Sequence, residues 1–272
     1  MSDEYETLTI TRCNSVVQVY LNRPEARNAM NRQMVRDLLD FFQAIKRDRS
    51  VRVVILGAHG PTFCAGGDIK ELREDLTIPP EAQMSQVETF DTMLRAVNEA
   101  PQVVIARIQG DVMGGGVGLI CVADMAVAAA DVKIGLPEVR LGLVPALISP
   151  YVVARIGLTR AREWMLRGLR VQTEVAAAAG LITIACPANE LDQQVTNLVN
   201  DVLAAPATAL AACKALLFEV ASQTADETVG HRVNLLNQLR TSAEGQEGMM
   251  AFVQKRSPNW TEKYEPAVVS RQ

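Results

Sequence analysis

Short apolar runs that alternate with glycine-rich turns and amphipathic helices are what most constrain this chain. Val16–Leu21, Val53–Leu56 and Val103–Ile108 read as buried strands. The first closes on the turn-like Asn22-Arg23-Pro24, the second runs into Gly57, Gly60 and Pro61, and the third into the glycine-rich stretch Gly110–Gly118. Between them, Val35, Leu38, Leu39, Phe42 and Ile45 recur at helical spacing, which predicts an amphipathic helix over residues 31–46. Asp68 should N-cap a helix opening at Ile69–Glu74. Residues 75–82 (DLTIPPEA) read as a mobile loop, and Val87, Phe90, Leu94 and Val97 mark a long helix stopped by Pro101. Leu119–Ala123 reads as a short helix, and Met125–Ala129 and Val132–Ile134 as short strands. Beyond residue 140 helices dominate, near 148–156, 159–167, 173–179, 192–204, 207–222, 226–240 and 244–256. The expectation is an α/β core over residues 1–200 followed by a helical C-terminal region over 201–272.

Composition narrows the function classes. Apolar residues make up 49% of the chain but aromatics only 4%, so the core must be built from Ala, Val, Leu, Ile and Met. A net charge of -4 leaves no electrostatic footprint for nucleic acid or an anionic membrane. An anionic ligand would have to be met by a few local cations. Cys13, Cys64, Cys121, Cys186 and Cys213 lie far apart and form no CxxC pair, so they read as buried thiols of a reducing compartment. Met1 to Glu6 is acidic without an apolar stretch, and no apolar run suits a membrane span. The expected location is cytoplasmic.

Two glycine-rich segments each follow a buried strand: Phe63-Cys64-Ala65-Gly66-Gly67-Asp68-Ile69 and Gly110-Asp111-Val112-Met113-Gly114-Gly115-Gly116-Val117-Gly118. Glycine lets a backbone bend tightly and lets a ligand approach closely. A helix start leaves its first N–H groups without internal partners and carries partial positive charge. Two such turns side by side would donate to one oxygen, as an oxyanion hole does. Taken singly, each segment also suits plain tight packing of strand on helix. Neither is a GxGxxG fingerprint or a P-loop, which disfavours a nucleotide-phosphate cradle.

Taken together, LNRPEARNAM, FCAGGDIKEL, IQGDVMGGGVGL, GLPEVRLGLVP and AFVQKRSP resemble the enoyl-CoA hydratase/isomerase (crotonase) superfamily, in order and spacing, from about residue 5 to 260. The resemblance implies a spiral of repeated ββα units with a C-terminal helical trimerisation region, assembled as a homotrimer or as a hexamer of two trimers. It implies an acyl-CoA substrate whose thioester oxygen is held by the N–H groups of Gly67 and Gly115, with Gly114 beside them. Ala65, Asp68 and Ile69 should border the adenine and pantetheine arm. Arg23 and Arg27 are candidate cations for coenzyme A phosphates, and Lys255 resembles a terminal-helix lysine that reaches a phosphate across a subunit boundary. Each of these cations, taken alone, also suits an ordinary surface charge.

Glu138, in Leu136-Pro137-Glu138, matches a catalytic glutamate of the family. The usual hydratases of the family carry a second glutamate three residues past the middle oxyanion glycine, and here that position is Gly118. A single carboxylate suits a Δ3,Δ2-enoyl-CoA isomerase that shuttles one proton from C2 to C4. It also suits a hydratase in which Glu138 activates water for C3 and then protonates C2. GGGVGL with PEVRLGLVPALISPYVVARIG is similar to bacterial methylglutaconyl-CoA and isohexenylglutaconyl-CoA hydratases of leucine and acyclic-terpene breakdown, which favours hydration. The missing side chain at 118 should make room for a branched acyl group. A non-catalytic acyl-CoA-binding homologue is the third reading, favoured by Gly118 and opposed by Glu138. None of these needs a metal, flavin or nicotinamide. His59 and His231 read as solvated, Cys64 as packing rather than a nucleophile, and the methionines as core filler.

Overall fold

The computed structural model describes residues 5–75 and 77–266. In chain order the strands and α-helices are β1 (Leu8–Cys13), β2 (Val16–Leu21), α1 (Arg32–Ile45), β3 (Val53–Ala58), β4 (Thr62–Cys64), α2 (Ile69–Asp75), α3 (Pro80–Asn98), β5 (Val103–Ile108), β6 (Asp111–Met113), α4 (Gly115–Val122), β7 (Met125–Ala129), β8 (Lys133–Gly135), α5 (Ser149–Arg167), β9 (Arg170–Gln172), α6 (Thr173–Ala178), β10 (Ile184–Cys186), α7 (Leu191–Leu203), α8 (Ala207–Ser222), α9 (Ala225–Thr241) and α10 (Ala243–Val253).

One sheet has the order β1-β2-β3-β5-β7-β10 and the other β4-β6-β8-β9. Within the first, β2, β3, β5, β7 and β10 run parallel, and only β1 is antiparallel to its neighbour. Successive pairs β3/β4, β5/β6 and β7/β8 therefore give one strand to each sheet before a helix carries the chain back. This is the expected ββα spiral. Every such turn brings the end of a second-sheet strand, and the helix start that follows it, to the same side of the molecule.

The helical stripe read for α1 is its buried face: Met34, Val35, Leu38, Phe41, Phe42 and Ile45 all join the core. Asn31 caps it by accepting the Met34 N–H at 2.9 Å. Asp37, buried on the same helix, accepts the Thr7 N–H at 2.9 Å and the Thr7 hydroxyl at 2.7 Å, which satisfies its charge and ties β1 to α1. A second apolar cluster lies on the other face of the larger sheet. There α7 packs Leu191, Val195, Val199 and Leu203 against Val53, Ile55, Val103 and Ile105. The C-terminal segment returns to this cluster: Tyr264 is buried in it, and Glu262 pairs at 2.7 Å with Arg52, a buried arginine that also donates to Leu203 O at 2.9 Å. Lys214 of α8, likewise buried, donates to Asp124 at 2.8 Å and to Gln102 O at 3.2 Å, which anchors the terminal helices to the spiral.

Two expectations shift. Helix α4 begins at Gly115 rather than Leu119. Glycine's poor helix propensity masks the true start, and close packing overrides it, since a Cβ on Gly116 would lie 2.7 Å from Cys64 Cβ. The loop expected over 75–82 shrinks to a turn, because α2 runs to Asp75 and α3 starts at Pro80; Leu76 lies outside the described residues. The helices expected over 148–156 and 159–167 are both present: Gly157, with φ of 74° and ψ of 160°, lies outside helical geometry and parts α5 into two. Among the described residues no single helix is long and apolar enough to cross a membrane.

Candidate active site

The two glycine turns meet. Met30 donates its N–H to Gly66 O at 2.8 Å and accepts the Asp68 N–H at 3.0 Å, while Ala65 donates to Arg27 O at 3.0 Å. This short parallel pairing leaves the Gly67 N–H between the two bonds, turned away from Met30. On the facing turn, Gly114 adopts φ 52° and ψ -120°, a region open to glycine, and the chain then enters α4 at Gly115. Among the described residues nothing accepts the N–H of Gly67 or of Gly115. The two turns lie close enough that a Cβ on Gly114 would be in van der Waals contact with Gly66 Cα, at 3.8 Å. A methionine seals the junction: the Met30 Cε methyl lies 2.4 Å from where a Cβ of Gly115 would be.

Gly67, Gly115 and Glu138 line one open cavity of about 250 Å³. Met30, Val35 and Phe90 form one wall, and the stretch Val144, Pro145, Ala146, Leu147 and Ile148 forms the other. Glu138 is the only ionisable side chain among these lining residues. It opens a 3-10 turn, Glu138–Leu141, that starts after Pro137 and ends at Gly142 with φ 74°. Its Oε2 is buried without a hydrogen-bond partner among the described residues. Burial raises its pKa above the ordinary carboxylate range, opposed only by its own backbone N–H. A carboxylate of raised basicity with one oxygen unpartnered, lining the same apolar chamber as two free N–H donors, is equipped to take a proton from a ligand whose developing negative oxygen the donors hold.

Gly118 is buried on the same helix, and the space beyond it is taken. A Cβ there would lie 2.3 Å from Ile148 Cγ2 and 3.5 Å from Leu94 Cδ2. The room expected at 118 for a branched acyl group is thus filled by Ile148, which is a correction to the sequence reading. Among the described residues no second carboxylate lines the chamber.

The remaining candidates fall in three places. Ala65, Asp68 and Ile69 flank Gly67, with Ile69 63% exposed and Asp68 buried. The Asp68 carboxylate accepts the Lys70 N–H at 2.9 Å, as its N-capping role requires, and pairs at 2.9 Å with Arg23. Burial alone would raise its pKa, but the Lys70 N–H and the Arg23 guanidinium outweigh burial and hold it below the ordinary value. Arg23 also donates to Ala29 O at 2.6 Å, so its guanidinium is committed to Asp68 and the 23–29 turn. Arg27 is exposed, with φ 53°. Lys255 is exposed just past α10, whose helix packs on α9.

Neither histidine lines the chamber. His59 lies against Tyr20 in a tilted ring contact with centroids 5.2 Å apart, and His231 meets Glu219 at 2.8 Å on the surface. Cys64 is buried, and burial pushes its pKa up to about 11, so it packs rather than attacks. Among the described residues no group of three or more His, Cys, Asp or Glu side chains is placed to hold a metal ion.

Sequence reasoning missed the walls. Val35 and Phe90 were legible as helix-stripe residues, but no sequence signal separates a core position from one that borders a cavity. Met30 and the 144–148 stretch sit inside the two motifs NAM and GLVPALI, whose spacing carried the only available hint.

The α/β spiral brings two glycine turns and one carboxylate to a common cavity, and comparison with known proteins shows the family to which such a chain belongs. The chain belongs to the enoyl-CoA hydratase/isomerase family, whose model matches residues 11–263. It is 33% identical over 259 residues to the enoyl-CoA isomerase/hydratase fer4 of Mycosarcoma maydis, an alignment covering 91% of this chain and 93% of that protein. Among solved structures it is similar to Pseudomonas aeruginosa AtuE, with a TM-score of 0.93, 39% identity, and coverage of 94% of this chain and all 100% of that one. An enoyl-CoA hydratase/isomerase from Marinobacter aquaeolei gives a TM-score of 0.91 at 38% identity, with the same coverage.

Proposed function

We propose that this protein is an enoyl-CoA hydratase that adds water across the C2=C3 bond of a branched or glutaconyl-type acyl-CoA thioester, with Glu138 as its single acid–base. The carrying observation is that the orphaned Glu138 carboxylate and the unpaired N–H groups of Gly67 and Gly115 face one apolar chamber. In the forward step Glu138 accepts a proton from water as the water oxygen bonds to C3. The C2=C3 electron pair moves toward the thioester, and charge gathers on its oxygen between the two N–H groups. The same carboxyl then returns the proton to C2, giving 3-hydroxyacyl-CoA. The buried Oε2 needs a donor, and a water molecule beside the reacting carbon supplies one. Membership of the hydratase/isomerase family and the names of the relatives support this reading. The sequence similarity of residues 114–119 and 137–157 to glutaconyl-type hydratases supports the choice of acyl class.

The absence of a second carboxylate among the lining residues favours one alternative, a Δ3,Δ2-enoyl-CoA isomerase in which Glu138 carries a proton from C2 to C4. Incubation with 2-enoyl-CoA and 3-enoyl-CoA thioesters in H₂¹⁸O separates the two. A hydratase incorporates label at C3 of the 2-enoyl substrate, an isomerase moves the double bond without label, and a binding homologue does neither. The reaction as written uses no cofactor beyond the coenzyme A of the substrate. Arg27 and Lys255 remain candidates for the coenzyme A phosphates, and residues 201–272 for trimer or hexamer assembly. Exposed Val233, Leu236, Phe252 and Val253 on or beside α9 and α10 support that assembly role.

A further inference from the structure

We infer that Ile148 is a specificity-determining residue: its Cγ2 methyl, seated over Gly118, closes the acyl chamber with hydrocarbon and sets which C3 substituent fits. The inference rests on the reading of the cavity as an acyl-thioester chamber. Ile148 is 3% exposed and lines the cavity that holds Glu138. A Cβ on Gly118 would stand 2.3 Å from its Cγ2 and 3.2 Å from its Cβ, so residues 118 and 148 compete for one volume. The competition has little slack. Isoleucine is branched at Cβ and stiff at χ1. Its backbone is pinned at the start of α5, where its carbonyl accepts the Val152 N–H at 3.0 Å.

A side chain that is stiff, buried and braced against a helix acts as a wall rather than a cushion. The neighbours Val144, Pro145, Ala146 and Leu147 add no charge to that wall. A carboxylate on the substituent facing Ile148 would lose its water without gaining a partner, a costly exchange. The arm that meets Ile148 is therefore uncharged hydrocarbon, and a charged arm, if the thioester carries one, points to the open mouth.

The test compares wild type, Ile148→Val, Ile148→Ala, Gly118→Ala and the Gly118→Ala/Ile148→Ala pair. Substrates are 2-enoyl-CoA thioesters bearing hydrogen, methyl or a bulkier alkyl group at C3. Binding of the matching saturated thioesters is measured in parallel by calorimetry. Thermal unfolding reports folding separately. In Ile148→Ala the preference for bulky over methyl, as a ratio of kcat/KM and of Kd, should rise at least about tenfold, with Ile148→Val between. Gly118→Ala alone should weaken binding of every thioester, and the pair should recover to within a few-fold of Ile148→Ala. Preference ratios that stay unchanged in both Ile148 variants, or a pair as impaired as the two single losses combined, would overturn the inference. A binding preference that shifts without turnover of any thioester supports Ile148 as the wall and overturns the hydratase reading instead.

Discussion

A methyl group on Gly114 would stand 3.2 Å from Oε1 of Glu138, so the glycine that turns the chain into α4 also makes space for the carboxylate. The contact joins backbone conformation to chemistry at one position. Gly114→Ala must hold an L residue at φ 52° and ψ -120°, which costs about 1–3 kcal/mol, and must also push the carboxylate aside. We expect a lower unfolding midpoint and a loss of kcat larger than that of KM. A Gly114→Ala enzyme of wild-type kcat would mean that Glu138 does not need its present position.

Glu138→Gln should lower kcat by about 10²–10⁴, the usual scale for removing a general base, with a small change in substrate binding. Because burial raises the folded pKa of Glu138, the acid limb of kcat/KM should lie above the ordinary carboxylate range. Activity falls as pH drops through that raised value. The stability sign is opposite. Below the unfolded pKa both enzymes carry a neutral side chain at 138 and match in this term; as pH rises through the folded pKa, wild type loses stability that Glu138→Gln keeps. Chemical denaturation at acid and neutral pH checks this, and a variant no more stable than wild type at neutral pH counts against the buried, orphaned carboxylate.

What could be read from residues alone tracks how local each feature is. Gly67, Gly115 and Glu138 sit in short motifs with their turns, and the resemblance carried by those motifs implied a common site; the three do line one cavity. The stripe from Val35 to Ile45 was legible, because helical burial repeats along one chain segment. Strand β1 was not, since Leu8 and Ile10 alternate with polar residues and gain their pairing only from Val19 and Leu21 across the hairpin. Three-residue strands such as β4 and β6 exist because the spiral stacks them, and nothing in TFC or DVM demands a strand. The filling of the space over Gly118 depends on how the start of α5 lies across α4, a tertiary relationship invisible in either segment.

Gly67 offers a clean separation of backbone from side chain. A Cβ there meets nothing nearer than Leu72 Cδ1 at 3.9 Å, so Gly67→Ala has room and should keep activity within a few-fold. Gly67→Pro removes the N–H itself and should lower kcat by about 10²–10³, the scale for one oxyanion donor. Circular dichroism and the unfolding midpoint verify that the proline variant folds. Equal activities for the two variants would remove the Gly67 N–H from the mechanism.

Arg23 and Asp68 brace the first turn from behind. With both side chains largely buried, deleting one partner leaves the other desolvated, and Arg23→Met should cost about 2 kcal/mol. Asp68 has a depressed folded pKa, so its contribution is present above the unfolded carboxylate pKa and disappears as pH falls through the folded one. The stability gap between wild type and Asp68→Asn should therefore be full at neutral pH and close in acid. A gap independent of pH would mean the pair contributes packing and not charge.

The terminal helices carry the last expectation. Phe252 is 86% exposed and Val253 75%, and Met249 and Met250, on the other side of the buried Ala251, are also exposed. Water-facing apolar side chains clustered in one short stretch are poorly accounted for in an isolated chain and are well suited to burial against a second copy. Yet the same region is held to its own spiral by the Lys214–Asp124 pair and by Tyr264, so disrupting assembly need not unfold the monomer. Phe252→Asp with Val253→Asp should shift the mass measured by light scattering from a trimer or hexamer toward the monomer while circular dichroism stays native. If coenzyme A phosphates are met by Lys255 of a neighbouring copy, KM rises in the same variant and kcat falls much less, because Gly67, Gly115 and Glu138 all belong to one chain. A wild-type protein that is monomeric at micromolar concentration would remove both expectations together.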